Sequence, residues 1–217
     1  QMPHMCPMDL GFVTEMGIYR RHGGLRPKMW VRKDSLILVP DGLSPLLAPF
    51  GETISTIDNG YRLARRHREV NLDEVLADGT DPFEKNIVIL GDGKAAQIAT
   101  TCFQVEGFNT LVIARNPEDH ARVRLIRELG ADYRQLPVGD GKAVDWDRIN
   151  GFTADIRKSR KWRGQFQYLF DTTASYPLIL ALKGGLLSPG GGSINYGIPE
   201  GACVHTMDLG PTLTREI

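Results

Sequence analysis

The chain is predicted to fold as an α/β protein built on a doubly wound parallel sheet, with a small β-rich piece ahead of it. Three observations carry this expectation. From residue 86 onward, short β-branched runs alternate with amphipathic stretches of helical length, an order that demands crossover connections and hence parallel strands. A glycine turn, Gly91-Asp92-Gly93-Lys94-Ala95-Ala96, joins the first such run to the first helical stretch. Residues 1–50, by contrast, are rich in Gly and Pro, show no helical period and carry too few large apolar residues to hold a core alone.

Within that leading piece, residues 29–31 and 36–39 are short strand candidates, and Pro40-Asp41-Gly42 is a turn signal. Pro45 and Pro49 then lead into a helix in which Phe50, Ile54, Ile57, Tyr61 and Ala64 form one apolar stripe, opposed by Glu52, Asp58 and Arg62. Residues 65–85 are polar and broken by Asp78-Gly79 and Asp81-Pro82, so a linker with one short helix at 72–76 is expected. The expected division is therefore 1–50, 51–85 as connecting helix and linker, and 86–217 as the sheet domain.

Residues 87–90 are too short a run for a helix and suit a strand buried on both faces. The helix after the glycine turn, residues 94–106, places Ala95, Ala99, Cys102 and Phe103 on one stripe before Gly107 breaks it, and residues 110–113 supply the second strand. Asn116-Pro117-Glu118 opens a further helix with Ala121, Leu125 and Leu129 inward and Gly130 as its stop. Residues 132–136 make a third strand, and the polar, basic stretch 137–164 holds loops and one helix. Residues 168–170 form a fourth strand that ends at Asp171-Thr172-Thr173. Pro177 opens a helix facing the sheet with Leu178, Ala181, Leu182 and Leu186, and Ser188-Pro189-Gly190-Gly191-Gly192 turns it into a fifth strand at 193–197.

Strand, glycine turn, helix and second strand in this order form the unit that binds a dinucleotide. Gly91 permits the tight turn, Gly93 lets backbone approach a pyrophosphate, and the small Ala96 lets the helix pack closely on its strand. Residues 91–96 would then hold the phosphates at the positive end of the helix, against N–H groups that have no partner within it. About 20 residues past the glycines, where a carboxylate usually holds a free 2′-hydroxyl, the chain has Ala114 and Arg115. Arg115 offers a planar cationic fork to a 2′-phosphate, so NADP(H) is expected ahead of NAD(H). The alternative leaves Arg115 in solvent and gives the ribose contact to Asn116. In such sheets the ligand lies past the carboxyl ends of the strands, so Thr172, Thr173, Tyr196, Gly197 and Ile198 should border the nicotinamide half.

Composition narrows the classes further. With 26 basic and 26 acidic residues, no net field steers the chain toward nucleic acid or an anionic membrane. The basic runs at 62–68 and 157–163 read as solvated helix faces or loops. No apolar run approaches the length of a membrane span, and the isolated Cys6, Cys102 and Cys203 make no disulfide framework, which fits a reducing cytoplasm. His22, His67, His120 and His205 sit in polar contexts and read as surface residues; His22, in Arg20-Arg21-His22-Gly23-Gly24, is also a candidate for approaching a substrate or phosphate. No Tyr-x-x-x-Lys pair, Gly-Lys-Ser/Thr phosphate loop or nucleophile elbow is present. The chain opens on Gln1 and closes on what reads as an unfinished strand, so a piece of a longer protein is expected.

Four stretches together resemble the medium-chain dehydrogenase/reductase family of zinc alcohol, threonine, polyol and glucose dehydrogenases. They are GIYRRHGG at 17–24 with VPDGLS at 39–44, APFGETIST at 48–56, the nucleotide stretch running on to ELGADY at 128–133, and LFDTTAS with LSPGGGSINYGIP at 169–199. The resemblance implies that residues 1–50 are the trailing part of a GroES-like catalytic domain and that residues 86–217 are a Rossmann nucleotide domain. It also implies hydride transfer between nicotinamide and a secondary alcohol or ketone of polyol, sugar or amino-alcohol type. Residues 213–217 resemble the start of the strand through which relatives form dimers. Family members with catalytic zinc carry a carboxylate where this chain has Ala48, and a catalytic zinc needs about three protein ligands. No zinc is therefore expected on this chain, and no catalytic residue can be named in it. A catalytically inactive nucleotide-binding module and a zinc-free enone or quinone reductase of the same fold are the alternatives.

Overall fold

The structure, a computed structural model, describes residues 15–16, 20–21, 33, 36, 38–72, 85–137, 146–159, 161–162 and 166–196. It divides into two units, residues 1–48 and 49–217.

In the first unit, β1 (Glu15–Met16) and β2 (Arg20–Arg21) pair in parallel. The turn expected at Pro40-Asp41-Gly42 is present, closed by Leu43 N donating to Pro40 O at 3.1 Å. The strand expected at 36–39 is not formed at the described residues 36, 38 and 39. Leu36 N is committed instead to a turn with Lys33 O at 3.2 Å, which removes the donor a ladder would need. The strand candidate at 29–31 and His22 lie outside the described residues.

The second unit is a five-stranded, wholly parallel sheet. Its strands are β3 (Asn86–Leu90), β4 (Asn109–Ala114), β5 (Asp132–Gln135), β6 (Phe166–Asp171) and β7 (Leu187–Asn195), in the order β5-β4-β3-β6-β7. β3 is central and buried throughout, as expected for a strand covered on both faces. Its side chains alternate between two cores. Ile87 and Ile89 join Val112, Tyr168 and Phe170 on one face, while Val88 and Leu90 join Leu111, Ile113 and Leu169 on the other. Each fully buried aliphatic side chain of this kind contributes about 1.5–3 kcal/mol.

Three helices cover the first face and two the second. The first face carries α1 (Phe50–Leu72), α2 (Lys94–Val105) and α3 (Ala121–Glu128); the second carries α4 (Trp146–Lys158) and α5 (Tyr176–Leu186). On α1, Ile57 is fully buried, and Tyr61 stands edge-on to Phe103, Phe108 and Tyr168 at centroid separations of 5.8, 5.5 and 5.5 Å. Such edge-to-face contacts add about 0.5–1.5 kcal/mol beyond area burial. Phe50 and Ile54, assigned to the same stripe, remain 43% and 44% exposed.

Two helix boundaries and the inward faces of two helices differ from expectation. The linker expected from residue 65 starts later, because α1 continues to Leu72; Arg, Glu and Leu are good helix formers, and no breaker intervenes before Asp78-Gly79. The short helix at 72–76 falls largely outside the described residues. The buried stripe of α2 is Ala96, Ala99, Thr100 and Phe103, with Ala95 and Cys102 half-buried at its margins. Thr100 fits this dry face because its hydroxyl donates to Ala96 O at 2.8 Å. The next helix starts at Ala121 instead of Pro117 and turns Val123 and Ile126 inward, leaving Leu125 40% exposed. The reason is its cap: His120 N closes a turn onto Pro117 O, and the His120 ring accepts from Arg122 N at 3.2 Å, which delays the first turn.

The fifth strand is assigned from Leu187 because Leu187 already pairs with Phe166. Five steps along β7, from 187 to 192, then face two along β6, from 166 to 168. The turn expected at 188–192 is thus an irregularity within the strand, where Pro189 has no N–H to pair. β7 ends at Asn195. Gly197, Ile198 and the dimer-strand residues 213–217 lie outside the described residues.

Candidate functional site

The parallel order brings the carboxyl ends of β3, β4 and β6 together, and the glycine turn lies at that edge. Gly91 N donates to Ile113 O at 2.9 Å, and Thr172 N and Oγ1 both donate to Leu90 O, at 3.1 and 2.7 Å. The end of the central strand is therefore pinned from both neighbours. Gly91 has φ +102, and a Cβ there would come within 2.4 Å of Thr172 Oγ1. Glycine is required at this position by the protein's own geometry.

Gly93 is different. Its φ of −70 and ψ of −179 suit any residue, and a Cβ built on it meets nothing within 4 Å. Gly93 caps α2 without a side-chain hydrogen bond, and the first bond of the helix runs from Gln97 N to Gly93 O at 3.0 Å. The N–H groups of Lys94, Ala95 and Ala96 precede it and have no partner inside the helix. Free donors, the helix dipole and open space over Gly93 together suit an anion with bulk behind it. Ala96 is fully buried, as close helix–strand packing requires. Lys94 is exposed in the first turn of α2, where the dipole disfavours a cation unless an anion is near.

Asp92 turns toward the end of β4. Its carboxylate accepts from Asn116 Nδ2, its other oxygen lies 3.8 Å from Arg122 Nη1, and its carbonyl accepts from Gln97 Nε2 at 3.1 Å. Asn116 is held in turn by Tyr133, whose hydroxyl donates to Asn116 O at 2.6 Å. Burial, then the Asp92 and Glu118 carboxylates, push the Tyr133 phenol well above the ordinary tyrosine range, with Arg127 opposing them. Arg115 is exposed just past β4, and its carbonyl accepts from Gln135 Nε2 at 3.3 Å. The structure thus brings Gly91, Asp92, Gly93, Arg115 and Asn116 to one edge. It also places a carboxylate beside the segment where the sequence reading found none.

At the end of β6, Asp171 is fully buried and organises the turn that follows. Its carboxylate accepts from Thr173 N at 2.9 Å, Thr173 Oγ1 at 2.7 Å and Ala174 N at 2.9 Å. These bonds hold Ala174 at φ +54, a conformation rare for a residue with a side chain. Tyr196 follows β7, its N–H donating to Asp171 O at 2.9 Å and its ring 5.9 Å from that of Phe170. Thr172 and the methyl group of Thr173 both face Gly91, and Thr173 is the more exposed of the two. Cys102 lies on α2 with its thiol pushed up by burial and then by the Asp58 carboxylate, as suits a core-margin side chain.

Sequence reasoning missed Arg122, Tyr133 and the carboxylate of Asp171. Only Arg122 left a signal: a cation in the first turn of a helix works against the dipole. Among the described residues, no group of three His, Cys, Asp or Glu could hold a metal ion, and no helix is long and apolar enough to cross a membrane.

No protein-family model matches the chain. Among curated proteins it is 26% identical over 216 residues to glucose 1-dehydrogenase 1 of Caldivirga maquilingensis, which takes in 98% of this chain and 51% of that protein. It is 23% identical over 213 residues to glucose 1-dehydrogenase 2 of Vulcanisaeta moutnovskia, again 98% of this chain and 51% of the other. The chain spans about half the length of these curated relatives. Among solved structures it is similar to the quinone oxidoreductase of Thermus thermophilus, solved alone and with NADPH, at a TM-score of 0.53 and 18% identity, covering 91% of this chain and 62% of that one. A mycobacterial protein solved with NADPH gives a TM-score of 0.51 at 14% identity, covering 82% and 46%. At these identities the likeness shows a shared Rossmann-like fold.

Proposed function

We propose that this chain is the nucleotide-binding part of an NADP(H)-preferring oxidoreductase of the medium-chain dehydrogenase/reductase type. The observation that carries the reading is Gly93: neither its backbone angles nor its neighbours require glycine, yet it lies open beside the unpaired N–H groups at the head of α2. A diphosphate fits that cradle, and a side chain there would fill it. Lys94 to Ala96 would hold the diphosphate, Arg115 the 2′-phosphate, and Thr172, Thr173, Tyr196, Gly197 and Ile198 would border the nicotinamide.

When bound, the nicotinamide supplies or accepts a hydride at C4. The chain's own part is placement. The two Thr172 hydrogen bonds to Leu90 O fix the strand end beneath the turn, and Asp171 fixes the loop that carries Thr173. The substrate proposed is a sugar or polyol with a secondary alcohol, supported by the two glucose dehydrogenase relatives. The described residues supply no ligand set for a catalytic zinc, and Ala48 has no ligand atom to offer one. Ala48 suits both alternatives, a non-catalytic nucleotide-binding module and zinc-free reduction of an enone or quinone. A cytoplasmic homodimer belongs to the same proposal, on the resemblance and the isolated cysteines alone.

The test is turnover by the full protein of a panel of aldoses, polyols, ketones and quinones with NADP(H), before and after chelation. Sugar or polyol oxidation supports the main reading, and turnover confined to enones or quinones favours the second. Binding of the dinucleotide with no turnover on any member of the panel would make the chain a non-catalytic nucleotide module.

A further inference from the structure

We propose that Arg122, tethered by Asp92, is a second cation for the 2′-phosphate of NADP(H), acting beside Arg115; this rests on the dinucleotide reading of the glycine turn. Arg122 stands in the first turn of α3, seven positions after Arg115. A guanidinium is disfavoured there by the helix dipole, and no acidic residue occupies that turn to offset it.

What offsets it is Asp92, reaching across from between the two glycines. The Asp92 side chain is only 11% exposed, and Asn116 Nδ2 occupies one of its oxygens. Its orientation is therefore set by the protein. Arg122 is held loosely, with one nitrogen at 3.8 Å and its side chain 56% exposed. A guanidinium has five N–H donors in a fixed fork, so one edge can stay with Asp92 while the other meets a second anion.

Charge arithmetic points the same way. A lone carboxylate beside the ribose would repel a 2′-phosphate, but Asp92 here has the Arg122 guanidinium 3.8 Å away, Arg115 is exposed just past β4, and the nearby Glu118 is paired with Arg127. Asn116 spends one of its two side-chain N–H groups on Asp92, and its side-chain oxygen can only accept. That oxygen suits a ribose hydroxyl and gives a phosphate nothing. A full positive charge for the phosphate comes from the arginines, which offer several N–H donors each against the one left on Asn116.

The experiment is titration of the full protein with NADPH and with NADH, followed by nicotinamide fluorescence, for the unaltered protein, Arg122→Gln and Arg115→Gln. Arg122 is exposed and its backbone bond to His120 survives substitution, so the fold is retained; urea unfolding checks this. Arg122→Gln should raise the Kd for NADPH at least tenfold and leave that for NADH within twofold. An unchanged NADPH Kd, or equal weakening of both cofactors, would overturn the role of Arg122 while leaving the dinucleotide site standing. Failure of the unaltered protein to bind either cofactor would overturn the site itself, and with it this proposal.

Discussion

The two glycines of the turn invite a paired substitution, because alanine meets opposite conditions at each. At Gly91 the new Cβ would lie 2.4 Å from Thr172 Oγ1, and the backbone would have to keep φ +102. Holding a non-glycine residue in such a conformation costs about 1–3 kcal/mol. Displacing the Thr172 hydroxyl from Leu90 O, a bond of 2.7 Å, costs a further 0.5–1.5 kcal/mol or so. Gly91→Ala should therefore lose about 2–4 kcal/mol, a urea midpoint shift of about 1–2 M at an m-value near 2 kcal/mol/M. At Gly93 the Cβ meets nothing and the angles are ordinary. The loss of a glycine cap is small and is offset by reduced freedom of the unfolded chain, so stability should stay within about 1 kcal/mol. The same methyl group enters the space a diphosphate would take, and the Kd for NADPH should rise at least tenfold. Urea unfolding and fluorescence titration on both variants give the two readouts. Equal destabilisation by both, or a Gly93→Ala protein that binds NADPH as the unaltered protein does, would refute the reasoning.

Two further outcomes follow from buried groups. Asp171→Ala should cost about 3 kcal/mol in urea unfolding, since it strands the Thr173 and Ala174 N–H groups and releases the constraint on Ala174; a loss under 1 kcal/mol would contradict this role. Tyr133 ionises later in the folded protein than in the unfolded chain. Its contribution is therefore intact below the ordinary tyrosine pKa near 10 and is lost as pH rises above it, by at most about 1.4 kcal/mol per pH unit. Tyr133→Phe should cost about 1 kcal/mol at neutral pH through the lost bond to Asn116 O and should flatten the alkaline fall; an unchanged alkaline slope would exclude Tyr133 as its source.

The sheet was legible because its signals are local. The run Ile87-Val88-Ile89-Leu90 is apolar in every position and too short for a helix, which suits a strand covered on both faces. Gly91 was legible for the same reason, since a strand must leave its plane to enter a helix. The helix faces were read less well. Ala95 and Cys102 sit one position from the true stripe of α2, because Thr100 could be buried by bonding back to Ala96 and so did not look apolar. In α3 the cap at His120 moved the start and with it the inward face. The irregular start of β7 depended on Leu187 finding Phe166, a pairing no local pattern announces. At this edge, the bend at the glycines was readable and the bonds made by the carboxylates were not. Asp92 was expected only as part of the turn that holds the phosphates, yet it supplies a negative charge beside Asn116; Asp171 was expected only as the end of its strand and also anchors the loop that follows. Both roles depend on groups brought close by folding across many residues.

The backbone amides at the head of α2 report most directly on whether this edge holds a diphosphate. In a titration of the full protein with NADPH followed by amide proton–nitrogen spectra, the resonances of Gly93, Lys94, Ala95 and Ala96 should move most and saturate together, with Arg115 and Asn116 moving in step. Saturable binding that leaves these amides in place, with the shifts gathered elsewhere on the molecule, would show that the glycine turn is a structural bend and not a cofactor site.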